Sequence, residues 1–286
     1  PSVAKQQQPE PKPDTKAAAP APRYLLPFPK LTLTGETDRR AWSVVLTPEQ
    51  AASAAQFHLG YQNSIVTAPE LSALRIRIND IDLVEEPVQS PDVLREVVVN
   101  VPNGLLKPGA NSISISADMR HRTDCTIQST YELWTEIVPA STFLSFADDS
   151  AHGFRRVDDI AAVGVNEAGA TAYRIIAPAT ESASGVGPVV RLAEALAMSS
   201  NMPNQSISIS REIKEPSGPG TLTVVVGLPS EISGVLSRVP EGASMSPVTT
   251  FVDDEKTGAS TLVISGPTWP AITTAIESLI QPAEHD

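Results

Sequence analysis

Residues 71–88 read LSALRIRINDIDLVEEPV. The alternation places Leu74, Ile76 and Ile78 on one face of a strand, because successive side chains of a strand point to opposite faces. Asn79-Asp80 supply a turn, and Ile81 and Leu83 resume the pattern on the way back. A strand, a tight turn and a returning strand set the texture for everything between residues 23 and 146. Upstream, KLTLTG (30–35) alternates, AWSVVLT (41–47) is a short continuous run before Pro48, and QFHLGYQ (56–62) sets Phe57, Leu59 and Tyr61 against polar partners. Downstream, LREVVVNVP (94–102), NSISISADM (111–119) and TDCTIQSTYELWTEIVPASTFLSF (123–146) continue it. About nine short strands punctuated by Pro, Gly and Asn predict an all-β jelly-roll sandwich over residues 23–146. The one helical candidate in this part is TPEQAASAAQ (47–56), with Thr47 as N-cap, Pro48 at the first helical position and Gln50 completing a capping box.

Outward from this block the pattern changes on both sides. Residues 1–22, PSVAKQQQPEPKPDTKAAAPAP, hold hardly any large apolar group and read as a Pro/Ala/Gln-rich linker, since such a segment buries too little to offset its ordering entropy. Residues 147–167, polar and rich in Asp, read as a junction. From 168 to 282 strands alternate with helices. TAYRIIAP (171–178), QSISISRE (205–212), GTLTVVVGLP (220–229), PVTTFVDD (247–254) and STLVISG (260–266) are strand-like, and GVGPVVRLAEALAMSSN (185–201) and TWPAITTAIESLI (268–280) carry apolar residues at helical spacing. SEISGVLSRV (230–239) reads as a short helix. This predicts a small α/β domain, so the expected fold class is mixed: a jelly roll followed by an α/β unit.

Composition narrows the function. Lys+Arg number 21 against 33 Asp+Glu, giving a net charge of −12 in 286 residues. That balance argues against a nucleic-acid groove or an anionic-membrane patch, both of which need clustered cations. No apolar stretch reaches the ~18–20 residues of a membrane-spanning helix, and no signal-peptide pattern is visible. The lone Cys125 cannot form an internal disulfide. As a nucleophile it would need a base, and His121, four residues away on an extended chain, lies ~13 Å off. The acidic pairs Glu85-Glu86, Asp148-Asp149, Asp158-Asp159 and Asp253-Asp254 invite a glycosidase reading, but adjacent strand residues point to opposite faces. The loop PATESASGVGP (178–188) lacks both the P-loop Lys and the G-x-G-x-x-G spacing. No metal-ligand spacing is present, so no catalytic set, metal or cofactor is expected.

The aromatic residues remain. Aromatics are 5% of the chain, and Trp42, Phe57, Tyr61, Tyr131 and Trp134 all fall in the β part. Flat rings pack on the C–H faces of sugars, which makes Trp42, Tyr61, Tyr131 and Trp134 candidate glucan-stacking residues, against the plainer alternative that each belongs to the core.

Two stretches go further. LRIRINDIDLVEE (74–86) with REVVVNVPNGLLKPGANSISIS (95–116) resembles galactose-binding-like jelly rolls, and RTDCTIQSTYELWTEIVPASTFLSF (122–146) resembles the periplasmic regulatory B subunit of bacterial cellulose synthase. That family alternates carbohydrate-binding jelly rolls with flavodoxin-like domains. The resemblance implies a flavodoxin-like, flavin-free α/β domain over 168–282. It implies a non-catalytic periplasmic protein at the inner membrane, in a cyclic di-GMP-responsive pathway. Its partners would be the catalytic synthase subunit, the exported β-1,4-glucan and copies of itself, with membrane attachment through a C-terminal anchor absent from this chain. The family is longer, which makes this chain a fragment by expectation. A secreted glycoside hydrolase fragment with an accessory β domain is the rival reading, and a pure assembly module without sugar binding is a third.

Overall fold

The computed structural model describes residues 21–122, 132–148, 153–179, 183–200, 202–215, 217–253 and 260–280. Ten strands build the β part: β1 (Arg23–Tyr24), β2 (Leu31–Thr34), β3 (Thr37–Leu46), β4 (Ala55–Asn63), β5 (Ala73–Ile78), β6 (Ile81–Pro87), β7 (Arg95–Asn100), β8 (Gly109–Asp118), β9 (Trp134–Ile137) and β10 (Phe143–Phe146). Helix α1 (Pro48–Ala52) lies between β3 and β4. Its capping box forms as the sequence predicts, with the Thr47 side chain accepting from the Gln50 N–H and Gln50 accepting from the Thr47 N–H. The helix stops after five residues because Ala55 and Gln56, within the predicted helical stretch, already belong to β4.

The strands form two facing antiparallel sheets. One has the order β3-β8-β5-β6. In the other, β4 pairs with β7 along one side, and with both β10 and β9 along the other. β9 and β10 are two halves of one interrupted row, separated by a 3-10 turn at Pro139–Ser141, and β2 and β1 pair with them as an equally interrupted edge. Gly60 of β4 sits against that turn, where a Cβ would lie 2.2 Å from the Ser141 Cβ. The core between the sheets is filled by the inward rows, Phe57, Leu59, Leu144 and Phe146 from one sheet and Leu74, Ile76, Ile78, Ile113 and Ile115 from the other.

The Asn79-Asp80 turn closes the β5–β6 hairpin in two residues, both at positive φ (50° and 65°), the geometry that suits the right-handed twist of the flanking strands. The turn is tied down by the LLKPGAN segment. Asn79 Nδ2 donates to Leu105 O and Asn111 Oδ1, each at 2.8 Å, and Asn79 Oδ1 accepts from the Ser112 N–H at 3.0 Å. Asn111 in turn accepts from the Lys107 N–H.

The second half is a five-stranded sheet formed by β11 (Thr171–Ile176), β12 (Gln205–Ser210), β13 (Thr221–Gly227), β14 (Val248–Asp253) and β15 (Ser260–Ser265). The order is β12-β11-β13-β15-β14, parallel except for β14. Helices α2 (Ala183–Ser200) and α4 (Trp269–Ile280) cover one face over Tyr173, Val224 and Ile264. Among the described residues the other face carries the short helix α3 (Pro229–Ile232) and loops around Val225 and Val263. A flavodoxin-type sheet runs 2-1-3-4-5; here the last two positions are exchanged. The reason is the β14–β15 hairpin, which folds β14 back antiparallel as an edge in place of a helical crossover. The two halves meet at β1, where Tyr24 bridges to Val165. Gly169 lies against the backbone of Phe28 and Gly220 against that of Val165.

Two of the candidate stacking rings are placed elsewhere than on an open face. Tyr61 is 0% exposed, and its hydroxyl donates to Pro87 O at 2.9 Å. Tyr61 shares strand parity with Phe57 and Leu59, so it must point where they point. Trp42 is half-buried against the core, its Nε1 donates to Leu25 O at 2.8 Å, and its ring meets Phe28 edge to face. Tyr131 and Cys125 lie outside the described residues.

Candidate aromatic lane on the six-stranded sheet

The outward face of the six-stranded sheet follows from parity. Wherever Phe57, Leu59, Leu33, Ile137 and Leu144 point in, their strand neighbours point out. Four residues meet in register across this face: Tyr24 opposite Phe143, Phe143 opposite His58, and His58 opposite Val98. Phe143 and His58 stack, with ring centroids 4.2 Å apart at 13°, and Tyr24 meets Phe143 edge to face at 5.9 Å. His58 Nε2 is 2.9 Å from Ser145 Oγ.

The stacking fixes how these rings stand. Cross-strand neighbours have Cβ atoms about 4.5–5.5 Å apart. Two near-parallel rings at 4.2 Å across that gap therefore stand upright, with their normals along the row. They present edges, not faces, to anything lying on the sheet. One flank of this row is polar, Ser145, Gln56 and Asn100 in register, with Gln56 Nε2 donating to Asn100 Oδ1 at 3.0 Å. On the other flank lie Glu96, which accepts from Ser141 Oγ at 3.2 Å, then Gln62, Glu136 and Thr32 in register. Lys30 pairs with Glu136 at 2.7 Å.

Trp134 opens β9 at the far end of this lane, opposite Thr34. It is half-exposed, pointing out where Leu133 and Thr135 point in, and forms no ring contact among the described residues. Its carbonyl accepts from the Ser64 N–H. Six residues separate Ser64 from His58 along the chain, so Trp134 and the upright row stand about 20 Å apart at strand rise. Among the described residues the face thus carries the Trp134 indole at one end, three rings at the other, and amides, carboxylates and hydroxyls between.

Of the three candidate rings among the described residues, Trp134 alone is placed on this face. Tyr24, His58 and Phe143, which join it, were legible in principle. QFHLGYQ puts His58 opposite in parity to Phe57, and STFLSF puts Phe143 opposite to Leu144 and Phe146. Their meeting in one row, however, depends on register between strands far apart in sequence.

Burial holds the His58 pKa below its ordinary value, partly countered by the Glu96 carboxylate. The unfolded chain therefore takes up the proton first as pH falls below about 6.5. The His58 contribution to stability is full above that value and is lost as pH falls from it through the lower folded value. Wild type should accordingly lose more thermal stability between about pH 7 and pH 5.5 than His58→Gln does. Parallel melting curves check this, and equal losses refute it.

Most described members of the acidic pairs are otherwise engaged, and Asp148 accepts from Ser53 Oγ at 2.9 Å. Glu85 pairs with Arg75, and Glu86 with Arg95. Asp159 accepts the N–H groups of Arg155 and Arg156, and Asp253 accepts from Ser260. Asp149 and Asp254 lie outside the described residues. Among the described residues no three His, Cys, Asp or Glu side chains gather as metal ligands, and no helix is long and apolar enough to cross a membrane.

Residues 23–148 match the family model described as cellulose synthase BcsB, first CBM domain (CBM, carbohydrate-binding module). No curated protein matches the chain. Similar solved structures include the CBM36-1 domain of a multidomain xylanase from the hindgut metagenome of Trinervitermes trinervoides, with 13% identity and TM-score 0.25 over 41% of this chain and 76% of that one. TmCBM61 in complex with beta-1,4-galactotriose has 12% identity and TM-score 0.27 over 41% and 68%. A family 35 carbohydrate binding module from an environmental isolate has 17% identity and TM-score 0.25 over 40% and 72%.

Proposed function

We propose, from the premise that residues 23–148 are the first carbohydrate-binding domain of a cellulose synthase BcsB subunit, that this protein is a non-catalytic periplasmic subunit that holds the emerging β-1,4-glucan on the outward face of its six-stranded sheet. The observation that carries the reading is the lane itself. An extended glucan has apolar ring faces and a rim of hydroxyls. Trp134 offers a flat face for a sugar ring, the Phe143–His58–Tyr24 row offers an apolar wall, and Gln62, Glu136 and Glu96 between them offer hydrogen bonds to the hydroxyls. The reading takes the two halves as separate domains, the second flavodoxin-like in plan with exchanged edge strands. Its partners are the catalytic synthase subunit at the inner membrane and further copies of the chain.

A moving polymer is best held loosely, since tight binding would stall it. Millimolar affinity corresponds to about −4 kcal/mol, and one stacked ring supplies about 1–2 kcal/mol by analogy with base–aromatic stacking. Trp134→Ala should therefore weaken cellohexaose binding about tenfold or more, as read from backbone amide shifts. Its Tm should stay within a few degrees of wild type, because the ring lies outside the core. Reducing ends should not be released from the oligosaccharide. If wild type shows no shifts along β4, β9 and β10, the lane is not a glucan site and the assembly-module reading replaces it.

A further inference from the structure

Arg23 is an anomaly at the join between the two halves. It opens β1 with its side chain pointing inward, and only 5% of it is exposed. A guanidinium carries five N–H donors. Nη1 donates to Val163 O at 3.4 Å and Nη2 to Val45 O at 3.0 Å, and Nε has no acceptor among the described residues. The two carbonyls belong to different halves of the molecule. Gly164, at φ +71°, leaves space for the group, since a Cβ there would lie 1.1 Å from Nη1. Burial lowers the Arg23 pKa to about 10, with no carboxylate among the causes, so the group stays cationic at neutral pH. Buried charges are as a rule paired with an opposite charge, and Arg23 forms no ion pair among the described residues.

A cavity adjoins it. Arg23, Phe154, Val163, Ser217, Gly220 and Ser260 contribute to its lining, and its volume is about 20 Å³. The cavity therefore has room for a single water or a monatomic ion beside the guanidinium. The Ser260 hydroxyl is committed to Asp253 and the Ser217 hydroxyl to Thr223, and the guanidinium is the one charged group in the described lining.

We propose that this cavity is a halide site, in which one chloride held by the Arg23 guanidinium neutralises the buried cation and pins the β-sandwich to the α/β half. The site is independent of the glucan lane. It predicts that the junction tightens with chloride concentration.

The test is thermal unfolding of the whole chain in sodium chloride against sodium gluconate at constant ionic strength. Above the dissociation constant, each tenfold rise in chloride should add about 1.4 kcal/mol, a Tm increase of about 3 °C or more. Crystals grown in sodium bromide should show an anomalous peak within hydrogen-bond distance of the guanidinium. Arg23→Met should abolish the chloride dependence. If that variant does not fold, the wild-type titration and the bromide peak decide alone. Equal Tm in both salts, or a cavity without an anomalous peak, means that a water completes the Arg23 donors, and overturns the halide assignment.

Discussion

Tyr61→Ala should destabilise the β-sandwich by about 3–5 kcal/mol, the range for large aromatic truncations in a packed core. The ring is fully buried between the sheets on the same row as Phe57 and Leu59. Tyr61→Phe separates the two parts of the effect. It keeps the ring and removes only the hydrogen bond to Pro87 O, so it should cost about 1–2 kcal/mol. Urea denaturation followed by Trp fluorescence measures both. A Tyr61→Ala variant as stable as wild type would place the ring outside the core, and the assigned parity of β4 would be wrong.

The second large effect is expected at the join. Gly169 has φ +73°, and a Cβ there would lie 2.3 Å from Phe28 O and 2.5 Å from Phe28 C. Both obstacles are backbone, so neither can swing away. Gly169→Ala combines left-handed strain of about 1–2 kcal/mol with overpacking of about 1–3 kcal/mol. Gly35→Ala is the control. Its φ is similar at +82°, but nothing lies within 4 Å of the added carbon, so it should cost about 1 kcal/mol. The discriminating readout is proteolysis between the halves. Gly169→Ala should cut faster than wild type in the 147–167 segment, and Gly35→Ala should not. Equal protection in both variants would show that the Gly169–Phe28 approach contributes nothing to the join.

Much of the β half could be read directly because its signals are local. The period-2 rows Leu74/Ile76/Ile78 and Ile113/Ile115 mark buried faces without any knowledge of partners, and the Asn79-Asp80 pair announces a two-residue hairpin. The α1 capping box was equally local. Aromatic type alone does not separate core from surface, whereas strand parity does. Tyr61 carries the same phase as Phe57, and Trp42 the same phase as Val44 and Leu46, so both were assignable to the interior before any coordinates. What no local pattern contains is register between distant strands. Tyr24, His58 and Phe143 are separated by tens of residues, and only the pairing of β1, β10 and β4 brings them into one row. The exchange of β14 and β15 is hidden for the same reason. A strand–turn–strand sequence shows that two strands are neighbours, but not which of them borders β13.

The interrupted edge of the six-stranded sheet bears on colloidal behaviour. A long, flat, open edge is a template on which another polypeptide can add and aggregate. Here that border is divided into β1, two residues long and already bonded through Tyr24 to Val165, and β2, four residues long. Neither piece offers a run long enough to seed a cross-β stack, which needs segments of about six residues. At the opposite border β7 begins with Arg95 and Glu96, and a charged edge resists edge-to-edge addition. Both borders thus hinder the sheet from recruiting further strands.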